Sequence, residues 1–275
     1  MTNALTGATK VAGIIGDPVS HSRSPAIWNA AFTEADIDWV FVAFAVPGGQ
    51  AGNAVAGARA LGLAALTVTM PHKADAASAC DELSDTASRL GAVNAIVQRD
   101  GRLVGHSTDG PGFVQSVRDA GVDPGAKSAL VLGAGGAGRA IALALGEAGA
   151  KVVVAARREA AAEDAAALVP GGRAVVFDAI DAELESAQLV VNATPIGMNG
   201  KATPLDVQRL DADACVADTV YHPRETPLLA AARARGLKCV DGLGMLVRQA
   251  ALSFESFTGV EAPLAVMRAA AETGG

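Results

Sequence analysis

The chain has 275 residues, of which 51% are hydrophobic and only 4% aromatic, and a formal net charge of −7. That length predicts two domains with ample apolar content for buried cores, and the bias towards Ala, Val, Leu and Gly suits helices packed closely on parallel sheet. The negative charge argues against a nucleic-acid-binding surface, so any attraction for an anionic ligand must be local, made by a few Arg and Lys side chains in a cleft.

Residues 1–7 have neither a basic n-region nor an apolar h-region, and no apolar run approaches the ~20 residues that cross a bilayer. A soluble, cytoplasmic protein without a membrane partner is expected. Val11–Ile15 reads as a strand. Ser24-Pro25 opens a helix, with Ser24 as N-cap and Pro25 at its first position. Val40–Val46 is the next strand, a helix runs to the break at Leu61-Gly62, and Ala65–Thr69 is a third strand. Helical segments lead to a strand over Ala92–Gln98, which Asp100-Gly101 turns into Leu103–Gly105. This alternation means βαβ units and a largely parallel sheet, hence an α/β fold.

A helix near 110–120 precedes a second series. Its strands are Ala129–Leu132, Val152–Ala155, Ala174–Phe177, Leu189–Asn192, Cys215–Asp218 and Lys238–Val240, with helices such as Ala140–Ala148 and Pro227–Ala234 between them. Met245–Phe257 is amphipathic and ends at Thr258-Gly259. The domain boundary is placed near Asp109, giving domains over 1–109 and 110–241, with helices over 242–275 returning to the first. Cys80, Cys215 and Cys239 show no metal-ligand spacing and read as buried, reduced thiols. His21 and His72 have no ligand partners nearby and read as loop residues, so no metal is expected.

The turn Gly133-Ala-Gly135-Gly136-Ala137-Gly138 follows an apolar strand and opens an apolar helix. Its first glycine permits the tight turn, its second lets backbone approach a pyrophosphate, and its third allows close helix–strand packing. The helix N-terminus adds N–H donors. A bland tight turn is the other reading, but the strand–turn–helix context is the one that the motif requires. The following strand ends in Arg157-Arg158 rather than in an acidic residue. Guanidinium groups suit the 2′-phosphate of NADP, the alternative being a solvated Arg pair at a helix start.

Upstream stand Lys73, in Thr67-Val-Thr69-Met-Pro-His-Lys73, and Asp109, in Gly105-His-Ser-Thr-Asp109-Gly110. An ammonium and a carboxylate can handle the hydroxyl proton of an alcohol while a bound dinucleotide takes its hydride, which reads as a nicotinamide-dependent alcohol dehydrogenase. Which of the two transfers the proton stays open. So do plainer roles: a solvated Lys73, Asp109 capping the helix ahead of Pro111, Ser24 as a cap alone, Asn94 as a turn residue and Tyr221 as a buried tyrosine.

Together these motifs resemble the shikimate dehydrogenase family over nearly the whole chain. Gly16–Pro25 resembles the family's substrate-carboxylate loop, Thr67–Lys73 its catalytic-lysine loop, Gly91–Asn94 its asparagine turn, and Ser107–Asp109 the loop carrying the aspartate. Asn192–Met198, Asp218–Pro223, Thr226–Leu229 and Gly242–Ala250 match later blocks. The resemblance implies an N-terminal α/β substrate domain and a Rossmann domain, with the active site in the cleft between them. It implies Ser22, Ser24, Thr69 and Tyr221 on the substrate carboxylate, and Lys73, Asn94, Asp109 and Gln249 around the reacting and neighbouring hydroxyls. Thr194, Gly242 and Met245 fall on the cofactor side, the latter two bordering the nicotinamide. The implied activity is NADP-dependent, reversible reduction of 3-dehydroshikimate to shikimate in aromatic amino acid biosynthesis, by a monomer or homodimer. The alternatives are a paralogue acting on quinate or an amino analogue, and a non-catalytic nucleotide-binding regulator. The pattern departs from the family at Thr67 and Ser107 (usually Asn), at Trp28 (commonly His), at Ala156 (Asn), and at Ala161, where a basic residue is usual and for which Arg158 is the substitute.

Overall fold

The computed structural model describes residues 5–273; the first four residues of the segment read for a leader, and the last two of the C-terminal region, lie outside it. The first strand, β1 (Lys10–Gly16), ends at a glycine against which the Thr69 methyl packs so closely that a Cβ would overlap it. Helix α1 (Ser24–Glu34) follows. Ser24 is its first helical residue rather than its cap. Arg23 stands at the cap without a side-chain bond to the helix start, its guanidinium donating instead to the Ala271 carbonyl at 2.7 Å, and the Ser22 hydroxyl accepts from the Ser24 amide at 3.2 Å. Proline at the second helical position is tolerated because that N–H has no intrahelical acceptor anyway.

The chain continues through β2 (Trp39–Ala45), α2 (Ala51–Ala60), β3 (Ala65–Val68), α3 (Lys73–Ser78), β4 (Glu82–Leu83) and α4 (Asp85–Leu90). The Ser84 hydroxyl caps α4 by accepting from the Ala87 amide, and Gly91 ends it in the left-handed region at φ 60°. A hairpin of β5 (Ala95–Arg99) and β6 (Arg102–His106) closes through Asp100 and Gly101, both at positive φ. The sheet order is β2-β1-β3-β5-β6-β4. It is mixed rather than parallel throughout: β1 runs parallel to β2 and β3, whereas β5 is antiparallel to both β3 and β6.

The next elements are α5 (Asp109–Asp119), β7 (Ser128–Leu132), α6 (Gly136–Glu147), β8 (Lys151–Ala156), α7 (Glu159–Ala166), β9 (Arg173–Val176) and α8 (Asp181–Leu184). They are followed by β10 (Leu189–Asn192), β11 (Cys215–Asp218), α9 (Pro227–Ala234), β12 (Lys238–Val240) and α10 (Gly242–Thr258). All pairs in this sheet are parallel, in the order β12-β11-β10-β7-β8-β9. Counted within this series, that is the dinucleotide-binding order 3-2-1-4-5-6 read from β9, and its topological switch point lies between β7 and β10. Apolar residues cover both faces: Val131, Val152, Val154 and Ile141 on one, Leu130, Leu132, Val190 and Leu228 on the other. The last helix is α11 (Leu264–Thr273).

Two compact units result, one holding residues up to Thr108 together with Gln249 onwards, the other Asp109–Arg248. The first has its core around Ile15, Leu66, Val68 and Ile96, and a cluster of Trp28, Phe32, Phe41, Phe254 and Phe257. No helix among the described residues is long and apolar enough to cross a membrane.

Candidate active site

In the first unit the candidate loops leave the C-terminal ends of β1 and β3 side by side. Asp17 donates its amide to the Met70 carbonyl at 3.0 Å, and Thr69 donates to Ile15 at 3.0 Å. These bonds place the Ser22–Ser24 turn next to the loop of Thr69 and Lys73. Ser24 is buried; Ser22, Thr69 and Lys73 are partly exposed. Lys73 opens α3, and its carbonyl accepts from the Val93 amide at 2.9 Å, which ties it to the Gly91–Asn94 turn.

Asn94 is 3% exposed and its side chain is held on both ends. Its Oδ1 accepts from the Thr108 amide at 2.7 Å, while Nδ2 donates to Thr108 Oγ1 at 2.9 Å and to Gln249 Oε1 at 3.2 Å. Thr108 Oγ1 also lies 3.1 Å from the Gln249 carbonyl and 3.0 Å from Ser253 Oγ, and Ser253 donates to that carbonyl at 2.8 Å. A closed polar network of this kind in a buried setting fixes its members' rotamers. It fixes Asn94 and the residue just before Asp109.

In the second unit Asp109 is the first, buried residue of α5. The glycine turn bridges β7 and α6. Gly133 has φ 108°, and a Cβ there would come within 2.8 Å of the Ala193 carbonyl and 3.0 Å of the Thr194 methyl. The turn thus abuts the loop after β10, at the switch point. A Cβ on Gly138 would overlap the Gly133 carbonyl, whereas one on Gly135 would meet nothing within 4 Å. The third glycine is therefore required by packing, while the second borders open space and leaves backbone N–H groups approachable, as a pyrophosphate needs. Gly135 and Gly136 are exposed, Ala137 partly so. Arg157 and Arg158 follow β8, are exposed, and make no ion pair with a described residue. Two uncompensated guanidinium groups at that strand end fit a 2′-phosphate.

The loop of Thr194 is built on Asn192, wholly buried, whose Oδ1 accepts from the Thr194 amide at 3.1 Å and its hydroxyl at 2.7 Å. Asn192 Nδ2 donates to Asp218 Oδ1 at 3.0 Å, and Asp218 Oδ2 accepts from Thr226, the N-cap of α9, at 2.7 Å. Burial pushes the Asp218 carboxyl above its ordinary value, opposed by the bonds from Val220, Thr226 and Asn192. Tyr221 follows in the loop after β11. Gly242 begins α10 so close to the preceding chain that a Cβ would come within 2.6 Å of the Val220 carbonyl. Asp241 sets this approach, accepting from the Leu243 amide and pairing with Arg224 at 2.7 Å. Met245 lies one turn into the helix and is buried.

The models of two domain families match: the shikimate dehydrogenase substrate binding domain over residues 14–96, and the shikimate 5′-dehydrogenase C-terminal domain over residues 242–272. A shikimate dehydrogenase (NADP(+)) of Symbiobacterium thermophilum is 47% identical, over 96% of this chain and 94% of the relative. The chain belongs to the shikimate dehydrogenase family. Among solved family members, the Thermus thermophilus enzyme in complex with NADP(H) and shikimate superposes with a TM-score of 0.90 at 36% identity, covering 96% of this chain and 99% of that one. A quinate dehydrogenase from Corynebacterium glutamicum in complex with NAD superposes at 0.88 with 34% identity, covering 95% and 98%.

The α/β expectation holds, and the structure groups the family-matched residues by unit. Ser22, Ser24, Thr69, Lys73, Asn94 and Gln249 share the first unit; Asp109, Tyr221, the glycine turn, Arg157, Arg158, Thr194, Gly242 and Met245 belong to the second. Residues missed in the sequence include Thr108, Ser253, and the supports Asn192, Asp218 and Thr226. Thr108 and Asn192 each sat inside a recognised motif as an unassigned polar residue, a weak but usable signal. Nothing local marked Ser253. All three cysteines are free thiols; burial pushes Cys80 and Cys215 up to about 11.

Proposed function

We propose that this chain interconverts shikimate and 3-dehydroshikimate with NADP, in the cytoplasm, as a monomer or homodimer serving aromatic amino acid biosynthesis. One observation carries the reading. A glycine turn at the switch point of a six-stranded parallel sheet, next to two exposed arginines that make no ion pair among the described residues, occurs in a chain that also carries the family's lysine, asparagine and aspartate loops. The three free thiols agree with a reducing compartment. In this reading the unit of residues 5–108 and 249–273 binds the substrate and residues 109–248 bind NADP.

Gly133, Gly135, Gly136, Ala137 and Gly138 would hold the pyrophosphate through backbone N–H groups, Arg157 and Arg158 the 2′-phosphate, and Thr194, Gly242 and Met245 the nicotinamide side. When bound, NADP supplies or accepts the hydride. Ser22, Ser24, Thr69 and Tyr221 would hold the substrate carboxylate with small donors and one phenol. Lys73 and Asp109 handle the hydroxyl proton between them. On reduction, charge builds on the carbonyl oxygen, and the Lys73 ammonium stabilises it. Asn94 and Gln249, oriented by their network, would hold neighbouring hydroxyls.

The test is NADPH production by the purified protein with shikimate and with quinate, each repeated with NAD. Rapid turnover of shikimate with NADP supports the reading. Turnover of quinate alone would move the chain to the quinate branch, and absence of turnover with either would point to a regulator.

A further inference from the structure

His72 has no part in the chemistry above, yet it is wholly buried beside Lys73. Its Nε2 lies 2.7 Å from the Val46 carbonyl oxygen, which can only accept, so Nε2 carries the hydrogen. Nδ1 is buried and has no hydrogen-bond partner among the described residues, which leaves Val46 as the ring's single polar tie. Val46 in turn donates its amide to Gly16 at 3.1 Å, and Asp17 donates to Met70 at 3.0 Å. The bonds therefore run in a closed circuit: from the carboxylate loop to the end of β2, through the imidazole to the lysine loop, and back.

The backbone of His72 is committed too. Its amide donates to Thr69 at 3.0 Å, its carbonyl accepts from Ala76 at 2.9 Å, and it is the cap residue of α3, whose first residue is Lys73. A helix of six residues has little stability of its own, so the place of its first residue depends on what anchors its start. We propose that His72 is the positioning residue for Lys73, its buried Nε2–H bond to Val46 fixing the origin of α3 and so the direction in which the lysine side chain leaves the loop. This rests on the assignment of Lys73 to proton handling. His72 itself is not a catalytic residue, since its one donor is spent and it has no exposed surface.

The test compares His72→Leu, which fills space without a donor, with His72→Gln, whose amide can reach the same carbonyl. Two readouts are taken: steady-state kinetics with shikimate and NADP, and the rate at which succinimidyl acetate acylates Lys73 relative to the exposed Lys201, mapped by peptide mass. His72→Leu should lower kcat on the order of 10–100-fold with KM for NADP within about twofold, as for a reacting group displaced by about 1 Å, while His72→Gln stays within about threefold of wild type. The relative acylation rate should change in the Leu variant and return in the Gln variant. A folded Leu variant with wild-type kcat and acylation rate overturns the proposal, and so do Gln and Leu variants equally impaired. Should the Leu variant not fold, His72→Asn, too short to reach Val46, replaces it, with the same expected loss. A wild-type protein inactive on shikimate would sink the function, not this role, because the acylation comparison still decides it.

Discussion

Replacing Thr108 by valine removes one hydroxyl from the Asn94 network at nearly constant shape. That oxygen lies 2.9 Å from Asn94 Nδ2, 3.1 Å from the Gln249 carbonyl and 3.0 Å from Ser253 Oγ. Part of the network survives: Ser253 still donates to Gln249 at 2.8 Å, and Asn94 Oδ1 still accepts from the residue 108 amide at 2.7 Å. What is lost is the acceptor at 2.9 Å from Asn94 Nδ2, while the 3.2 Å contact to Gln249 Oε1 is kept. Removing one partner of a buried hydrogen bond costs about 1–3 kcal/mol. That should lower Tm on the order of 2–5 °C. Asn94 would also lose its fixed aim, so KM for shikimate should rise while KM for NADP holds. Thr108→Ser keeps the hydroxyl and should hold KM near wild type. Thermal melts and steady-state kinetics decide the matter: a valine variant with unchanged Tm and unchanged KM refutes the claim that this hydroxyl orders the site.

Lys73→Ala should lower turnover about 10²–10⁴-fold while NADP affinity, read by nucleotide fluorescence, holds; an unimpaired variant sinks the proton-handling role. Arg157→Ala should cut the preference for NADP over NAD about 10–150-fold, the worth of one charge-assisted contact, and an unchanged ratio of kcat/KM values removes the 2′-phosphate assignment. His106 has its pKa held below the ordinary 6.5 by burial first and the Arg99 charge second, and its Nε2 is buried without a hydrogen-bond partner among the described residues. The unfolded chain therefore takes up this proton first as pH falls: stability is full above 6.5 and declines below it, towards the folded-state value. His106→Gln should flatten urea-unfolding stability between pH 7.5 and 5.5, and an unaltered slope counts against the shift. Cys215, pushed up to about 11 by burial, should stay unreactive to Ellman's reagent at pH 8 until the protein unfolds; rapid labelling of the native protein contradicts its burial.

The second sheet was readable because its strands are short apolar runs flanked by turn residues, those of β7, β10 and β11 buried on both faces. Val152–Ala155 and Cys215–Asp218 fall within or on the observed strands. The first sheet was harder. The strand read over Ala92–Gln98 begins at Ala95, because Val93 is tied to Lys73 and Asn94 is drawn into its network. Apolar periodicity cannot show that difference. The two residues of β4, Glu82 and Leu83, carry no pattern at all, and exist as a strand only because β6 offers an edge. Ser24 was misplaced by one residue since a hydroxyl before proline suits a cap, whereas Arg23 holds the cap position and the Ser22 hydroxyl accepts from the Ser24 amide. Thr108 and Ser253 are 145 positions apart and meet only in the folded chain, which no local spacing reveals.

The departures from the family pattern now separate by what their side chains touch. Trp28 is 1% exposed, stacked on Phe41 at 4.9 Å and on Phe257 at 5.3 Å. It is a core residue, compensated by aromatic packing, so its exchange leaves the polar loops alone. Thr67 is different. It sits in β3 between Ile14 and Ala95, buried, with its hydroxyl at 3.4 Å from the Gly13 carbonyl, at the outer limit of a hydrogen bond. Side chains two apart along an extended chain share a face, so Thr67 lies on the same side as Thr69, one of the proposed carboxylate donors. A weakly held hydroxyl there has freedom to turn, and it is shorter than an amide. Of these two departures, Thr67 is therefore the one that stands beside the proposed carboxylate donors.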